Sequence, residues 1–280
     1  MAEVTSGMLD SLQNAVIEQA VKKKDTQKYH FDKLKMFFKE DFLIKGIRIV
    51  QPTVGDILRI GEKDFYSALS PFINNSTSIR LMLWSIGIDW CKVRDIEVFG
   101  MLMEMTLQSG ENYQETLNLI FPDIDITKFK VYEQKKESDT DEKKFFLYNE
   151  QSNMYLLEEE YMEIAEYVRE MLNIHLKVER AKGKTTKKWM IDEDRQNLLT
   201  APSKNDSSLL PLVSSLINHP GFKYNLNQLK EVGIVQFYDA IQRLQIYEGT
   251  RALLQGSYSG FCDTSGVDKN KFNFMRDVDS

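Results

Sequence analysis

Gly183, Lys184 and Thr185 stand together in the order that ends a phosphate-binding loop. Such a loop also requires a glycine five residues before Gly183 and a buried β-strand ahead of it, because its backbone N–H groups wrap around phosphates at the start of a helix. Val178 occupies the position of that glycine. The spacing therefore predicts that this segment binds no ATP or GTP.

The residues before Gly183 predict a helix rather than a strand. A helix from 157 to about 176 is expected, because its apolar residues recur at helical spacing. Thr185 or Thr186 would cap the next helix, which is expected to end at Leu199. Gly183 is thus predicted to lie in an exposed turn between two helices. The apolar face of the first helix is formed by Ile164, Val168, Met171 and Leu172.

Other groups that could do chemistry are few. The three histidines are His30, His175 and His219, and no two lie at the spacing of zinc ligands or of a catalytic triad. His219 precedes a proline and a glycine, a context typical of a helix end. The acidic run that starts at Glu158 is typical of the first turn of a helix, where the helix dipole stabilises carboxylates. We therefore predict no catalytic residue, no cofactor and no metal site.

Composition and charge restrict the class of protein. The 280 residues are 42% hydrophobic, enough for a sizeable core, and a net charge of −6 argues against general binding of nucleic acids or acidic membranes. A basic run at 182–188 is followed at once by acidic residues at 192–194, which compensate it. Cys91 and Cys262 lie far apart in a sequence with no secretory leader. A cytoplasmic protein with reduced thiols is expected.

Local signals predict a mainly α (α+β) fold: helical bundle-like domains with a short N-terminal strand and a central β-hairpin. Ile47–Ile49 predict the strand, because apolar and polar residues alternate there before a proline. Thr53 and Asp56 form a capping pattern for a helix through Ile60. Ser70, followed by a proline, predicts the N-cap of another helix.

The chain is expected to divide into three parts. Residues 1–30 predict an N-terminal helical arm, which either packs on the protein or binds a partner. Residues 31–200 predict a mainly helical domain with a β-hairpin near 128–149, and 201–280 a C-terminal helical domain with a tail. The division is placed near Pro202, because small and polar residues cluster around it.

The apolar block at 79–90 and the residues after it predict the main core. A methionine-rich stripe can instead form an adaptable binding groove, which makes Met101 and Met105 candidate partner-binding residues. The predicted core side chains are Trp84, Trp90, Phe99, Met101, Leu102 and Met105.

The C-terminal region is predicted to be helical up to an aromatic tail. One short helix should stop at Pro220, and Asn225 with Gln228 should cap a second helix that continues through Leu254. The tail either docks on its own domain or binds a neighbouring subunit. Its candidate partner-binding residues are Phe272, Phe274 and Met275.

Two stretches resemble proteins of long-tailed bacteriophages. The stretch IRIVQPTVGDILRIGE, residues 47–62, resembles the opening of tail assembly chaperones, small helical proteins that often begin with a short strand, a Pro-Thr step and a helix. Residues 209–265, together with FNFMRDV at 272–278, resemble the ending of uncharacterised proteins encoded among phage tail and baseplate genes of Gram-positive hosts. That second group supplies no functional residues.

The resemblance implies a morphogenesis factor in the cytoplasm of the bacterial host. Such a factor binds the long helical tape-measure protein, keeps its apolar stripes from aggregating and helps to recruit tail-tube subunits. Two alternatives stay open: a structural virion subunit of the baseplate or tail connector, and a nucleotide-binding assembly factor that uses Gly183 and Thr185. A homo-oligomer is also left open, and no membrane partner is expected.

Overall fold

A computed structural model describes five stretches of the chain, and several sequence-based predictions fall outside them. The predicted arm at 1–30, the tip of the predicted hairpin at 135–142, the boundary near Pro202, and the residues His30 and Cys262 all lie outside the described residues. The described residues are 31–109, 112–134, 143–200, 207–260 and 263–278.

The described residues form mostly helices with two small antiparallel sheets, which confirms the mainly α (α+β) prediction. The helices are α1 Lys33–Phe37, α2 Val54–Ile60, α3 Glu62–Ala68, α4 Ser70–Ile73, α5 Arg80–Ser85, α6 Asp95–Gln108, α7 Tyr113–Ile120, α8 Glu158–Met171, α9 Lys184–Thr200, α10 Leu209–Asn218, α11 Leu226–Leu229 and α12 Ile234–Ser259. The strands are β1 Phe42–Ile44, β2 Ile47–Ile49, β3 Phe129–Glu133, β4 Phe145–Asn149 and β5 Met154–Leu157.

The predicted N-terminal strand is β2, and it pairs with a strand that the sequence pattern did not reveal. β1 and β2 form an antiparallel hairpin in which Ile44 faces Ile47. Lys45 and Gly46 make the two-residue turn with φ values of 48° and 82°. Positive φ at both positions matches the twist of a tight hairpin, and glycine adopts it without strain.

The step from β2 into α2 follows the predicted capping pattern. The Thr53 side chain accepts from the Asp56 backbone N–H at 3.1 Å, and the Asp56 carboxylate accepts from the Thr53 N–H at 2.9 Å. The same step contacts the C-terminal region: Thr53 forms a β-bridge with Gly233, and the Gly55 N–H donates to the Lys230 carbonyl at 2.9 Å. The start of α2 therefore lies against the turn between α11 and α12.

Two helix starts differ from prediction. The N-cap of α4 is Leu69, and Ser70 is already helical, because Leu69, the C-cap of α3, has a helical conformation and leads directly into α4. α9 begins at Lys184, so Thr185 and Thr186 lie in its first turn and neither is its N-cap. The Gly183 carbonyl accepts the first hydrogen bond of that helix.

The predicted central hairpin is confirmed as β3 and β4, and a third strand extends it. β4 lies between β3 and β5, with Leu147 opposite Val131 on one side and Leu156 on the other. β5 leads directly into α8, whose first turn carries Glu158, Glu159 and Glu160 as predicted. The sheet packs against α6 and α8.

Aromatic side chains from four elements form the centre of the protein. Phe72 of α4 lies 5.3 Å from Phe99 of α6 and 5.1 Å from Phe121 after α7, and Phe99 lies 5.1 Å from Tyr161 of α8. All four are almost fully buried, and edge-to-face and tilted ring contacts of this kind add to the burial of apolar area.

The predicted core after residue 79 is correct for some residues and wrong for one. Trp90, Phe99 and Leu102 are buried, and Trp84 and Met101 are half-buried. Met105 is 51% exposed, because it lies on the outward face of α6, whereas its neighbour Thr106 is buried.

The helix predicted to reach residue 176 ends at Met171. Its predicted apolar face, from Ile164 to Leu172, is buried as expected. Asn173 then adopts a left-handed conformation with φ 54°, and the Ile174 N–H donates to the Arg169 carbonyl at 2.8 Å. This is a Schellman ending, in which asparagine replaces the usual glycine.

The C-terminal region also departs from prediction at one point. α10 ends at Asn218 with His219 as its C-cap, as predicted, and Asn225 and Gln228 form the predicted capping box. The helix they start stops at Leu229, however, and α12 begins afresh with Gly233 at its N-cap. The break arises because residues 230–233 bond to the start of α2 instead of continuing the helix.

Candidate partner-binding surface

Residues 174–182, which we call the strap, follow α8 and lie across the segment between α4 and α6. They form neither helix nor strand, and side chains from that segment hold them. The Glu179 N–H donates to the Thr77 hydroxyl at 3.1 Å, and the Trp90 indole N–H donates to the Glu179 carbonyl at 3.1 Å. Asn75 donates to the Lys177 carbonyl at 3.0 Å. The strap is thus fixed by polar side chains rather than by a sheet.

A buried arginine connects the strap to α9. Arg80, only 8% exposed, donates to both carboxylate oxygens of Asp194 at 2.6 Å and forms an ion pair with Glu179. A bidentate arginine–carboxylate pair fixes both distance and orientation. These hydrogen bonds, above all those to Asp194, raise the pKa of the Arg80 guanidinium. Arg80 therefore holds α5, the strap and α9 together.

The first half of α9 is fixed by two further contacts. Ile191 is buried in a cluster with Leu83 and Trp90. Lys187 donates to the Asp89 carboxylate at 2.6 Å, which lowers the pKa of Asp89. Beyond Asp194 the helix leaves this support, and every residue from 195 to 200 is exposed.

The unsupported half of α9, the strap and the start of α5 line an open cleft of about 410 Å³ on the surface, which we call the α9 cleft. Its apolar side chains are Leu81, Leu176 and Leu198, one from each wall. Leu198 lies on the same face of α9 as the buried Ile191, seven residues earlier, but it is 57% exposed. The polar lining residues are Thr77, Ser78, Arg80, His175, Lys177, Glu179, Asp194 and Asn197.

The lining of the α9 cleft combines a group of paired charges with apolar side chains at the opening. Three charged groups of the cleft wall are paired with one another, because Arg80 binds both Glu179 and Asp194. Leucine side chains at the opening offer apolar area to a partner. Among the described residues, no group of three or more histidine, cysteine or acidic side chains is arranged to hold a metal.

The structure separates the two methionines predicted to bind a partner. Met101 is half-buried and packs against the cluster of Leu83 and Trp90. Met105, one turn later, is 51% exposed. Neither residue lines the α9 cleft. Their role in partner binding stays a prediction.

The C-terminal tail docks partly on its own helix. The Thr250 hydroxyl of α12 donates to the Lys271 carbonyl at 3.0 Å, and the Phe274 ring meets Tyr247 edge-on at 6.2 Å. Phe272 is half-buried, but Phe274 and Met275 are 53% and 74% exposed. The tail therefore keeps apolar area open to solvent, and partner binding by its three candidate residues stays a prediction.

The segment that resembles a phosphate loop has a different context in the structure. The strap, not a buried strand, precedes Gly183. Lys187, in the first turns of α9, donates a hydrogen bond to Asp89. The first turn of α9 contains no acidic residue.

The α9 cleft was not predicted from the sequence. A signal was present: in IHLKVE, residues 174–179, apolar and polar residues alternate with period two, which is typical of an extended chain rather than a helix. The helical spacing of the residues before 174 extended the helix prediction to about residue 176, so this alternation was not interpreted. Leu198 was placed on a helix, but its exposure depends on where the strap lies.

Comparisons of the chain with protein-family models, curated proteins and solved structures found no match. The resemblance to phage tail proteins therefore stays a hypothesis from the sequence. Of the helices that the structure describes, none has the length and apolar character needed to cross a membrane.

Proposed function

We propose that the chain is a non-enzymatic phage morphogenesis factor: a tail assembly chaperone that binds the tape-measure protein in the bacterial host and assists tail-tube assembly. The observation that carries the proposal is the α9 cleft, a leucine-lined opening beside an unsupported helical end. The resemblance at residues 47–62 and 209–265 supplies the identity of the client. Neither the α9 cleft nor the resemblance requires a catalytic group.

The cleft fits the chemistry of a tape-measure client. A long helical protein presents apolar side chains at intervals of three and four residues, and a groove accepts such side chains one or two at a time. Leu198 and Leu199 extend from a helix end with few neighbours, so they can adapt to many similar client segments. A small cleft also gives moderate affinity, which a chaperone needs because it must release its client.

The test is co-expression with the tape-measure protein of the phage that encodes this chain. The wild-type chain should keep the tape-measure protein in the supernatant after centrifugation. Leu198→Glu should abolish this effect, because a carboxylate in an apolar contact is costly to desolvate. Gln196→Glu is the matched control: it adds the same charge to the same helix at an exposed position outside the cleft, and it should retain the effect.

Both variants should show the thermal unfolding of the wild type, since both positions are exposed. Equal loss of client solubility with Leu198→Glu and Gln196→Glu would remove the cleft from the binding surface. A tape-measure protein that precipitates equally with and without the wild-type chain would contradict the chaperone function itself.

A further inference from the structure

The strap has two backbone edges, and the protein uses one of them. Lys177, Glu179 and Ala181 bond inward: the Lys177 carbonyl accepts from Asn75, both backbone groups of Glu179 bond to Thr77 or Trp90, and the Ala181 N–H donates to the Cys91 sulfur at 3.3 Å. Bonding at every second residue is the pattern of an extended strand, in which alternate residues direct their N–H and C=O groups to opposite edges.

The outer edge is open within the described part of the chain. There, no hydrogen bond involves the backbone N–H or C=O of Leu176, Val178 or Arg180. Val178 is 69% exposed. An extended segment with an unpaired edge is a template for a strand from another chain.

We propose that two copies of this chain pair through the outer edges of their straps, antiparallel about a two-fold axis at Val178. In this register Val178 faces Val178 of the second copy, and Leu176 faces Arg180 of the second copy. Each such pair exchanges two backbone hydrogen bonds, and the two exposed valine side chains cover each other. The same surface serves both copies, as a two-fold interface requires.

Charge complementarity between the two straps favours this register and favours a second copy of the chain as the partner. Lys177 faces Glu179 of the second copy in a pair without backbone hydrogen bonds, where opposite side chains come closest. A slip of two residues in one direction would place Lys177 opposite Lys177, and a slip in the other would place Glu179 opposite Glu179. Like charges in opposed positions destabilise a sheet, whereas opposite charges stabilise it.

The pairing is distinct from the proposed chaperone function, because it needs the strap edge and not the client. Sedimentation equilibrium of the purified full chain tests it. We expect a reversible dimer with a Kd on the order of 10 µM, since five paired residues form less than a standard interface. A chain that stays monomeric at about ten times that concentration would overturn the proposal.

Three variants separate edge pairing from other modes of association. Val178→Pro removes an outer-edge N–H and should weaken the dimer at least about tenfold, whereas Val178→Ala keeps that N–H and should change the Kd by less than about threefold. Lys177→Glu places a glutamate opposite Glu179 of the second copy and should also weaken the dimer about tenfold. Lys177 is exposed, so Lys177→Glu should fold. It therefore tests the interface even if Val178→Pro fails to fold.

The register is tested by cross-linking. Val178→Cys should give a covalent dimer with a short bifunctional maleimide, because the two side chains meet at the axis. Leu58→Cys on α2 is the control, since Leu58 is equally exposed at 68% but lies outside the strap. Equal cross-linking of both variants, or a dimer insensitive to Val178→Pro, would overturn the proposed interface.

Discussion

Arg80 is the residue on which the α9 cleft most depends. Its guanidinium is enclosed between two carboxylates that belong to different segments, one on the strap and one on α9. A buried arginine in such a position contributes little relative to an apolar residue of the same size, but its removal leaves Glu179 and Asp194 facing each other without a cation. The geometry of the cleft is therefore sensitive to a single side chain.

We predict that Arg80→Ala lowers the free energy of unfolding by about 2–3 kcal/mol, because it leaves two partly buried carboxylates unpaired. Arg195→Ala is the control: Arg195, on α9, pairs with Asp192 at an exposed position, and its loss should cost less than about 0.5 kcal/mol. Urea denaturation of the three proteins measures both changes. Similar values for the two variants would mean that the Arg80 cluster does not hold α9.

The Asp89–Lys187 pair predicts a pH dependence. The hydrogen bond from Lys187 holds the pKa of Asp89 below its usual value, so the ionised form is favoured in the folded state. A carboxyl with a lowered folded-state pKa contributes stability above its unfolded pKa, near 3.8, and loses it as the pH falls through the folded value. Asp89→Asn should therefore be less stable than the wild type at pH 7, with a difference that shrinks below about pH 4. Thermal unfolding at several pH values measures it; a difference independent of pH would assign the effect to packing.

At the scale of elements, the features that depend on a few neighbouring residues were predictable. The capping boxes at Thr53 and Asn225 and the pairing of β3 with β4 follow from local spacing, and the structure contains them. The strap was not predictable in this way, because residues 174–182 are fixed by Thr77 and Trp90, about 100 residues earlier in the chain. The α9 cleft could not be predicted for the same reason, since one of its walls is the strap.

The turn between α11 and α12 was missed for the same reason: its backbone bonds to the start of α2. Gly55 marks the close approach, because a Cβ atom there would lie 2.8 Å from the Lys230 carbonyl oxygen. We predict that Gly55→Ala destabilises the protein by about 1–3 kcal/mol through this contact with backbone.

Gly249 on α12 supplies the matched control for Gly55. A Cβ atom there would meet nothing within 4 Å, and Gly249 lies inside a long helix. Gly249→Ala should therefore raise stability by up to about 1 kcal/mol, as expected from helix propensity. Chemical denaturation of both variants gives the comparison, and a stabilising Gly55→Ala would show that the two segments do not approach as closely as described.

At the scale of the whole molecule, the described surface combines a well-packed aromatic centre with apolar side chains left open at element ends. Leu198 and Phe274 lie where a helix or tail extends past its support, and Met105 lies on the outward face of α6 near its end. Such sites offer small adaptable contacts, in contrast to the large complementary patch of a permanent subunit interface. This distribution favours a protein that binds and releases over one that stays in a particle.

The last prediction follows from that contrast. If the chain is a tail assembly chaperone, tube subunits displace it from the tape-measure protein when they polymerise, and finished virions should lack it. Quantitative mass spectrometry of purified virions measures this, with tape-measure and tube peptides from the same sample as the internal standard and the infected-cell lysate as the positive control for the chain. We expect abundant peptides in the lysate and a virion level far below that of the tape-measure protein. Recovery in fixed proportion to the tape-measure protein would contradict the chaperone proposal and favour a structural subunit of the baseplate or tail connector, because only a large permanent interface retains a subunit through particle purification.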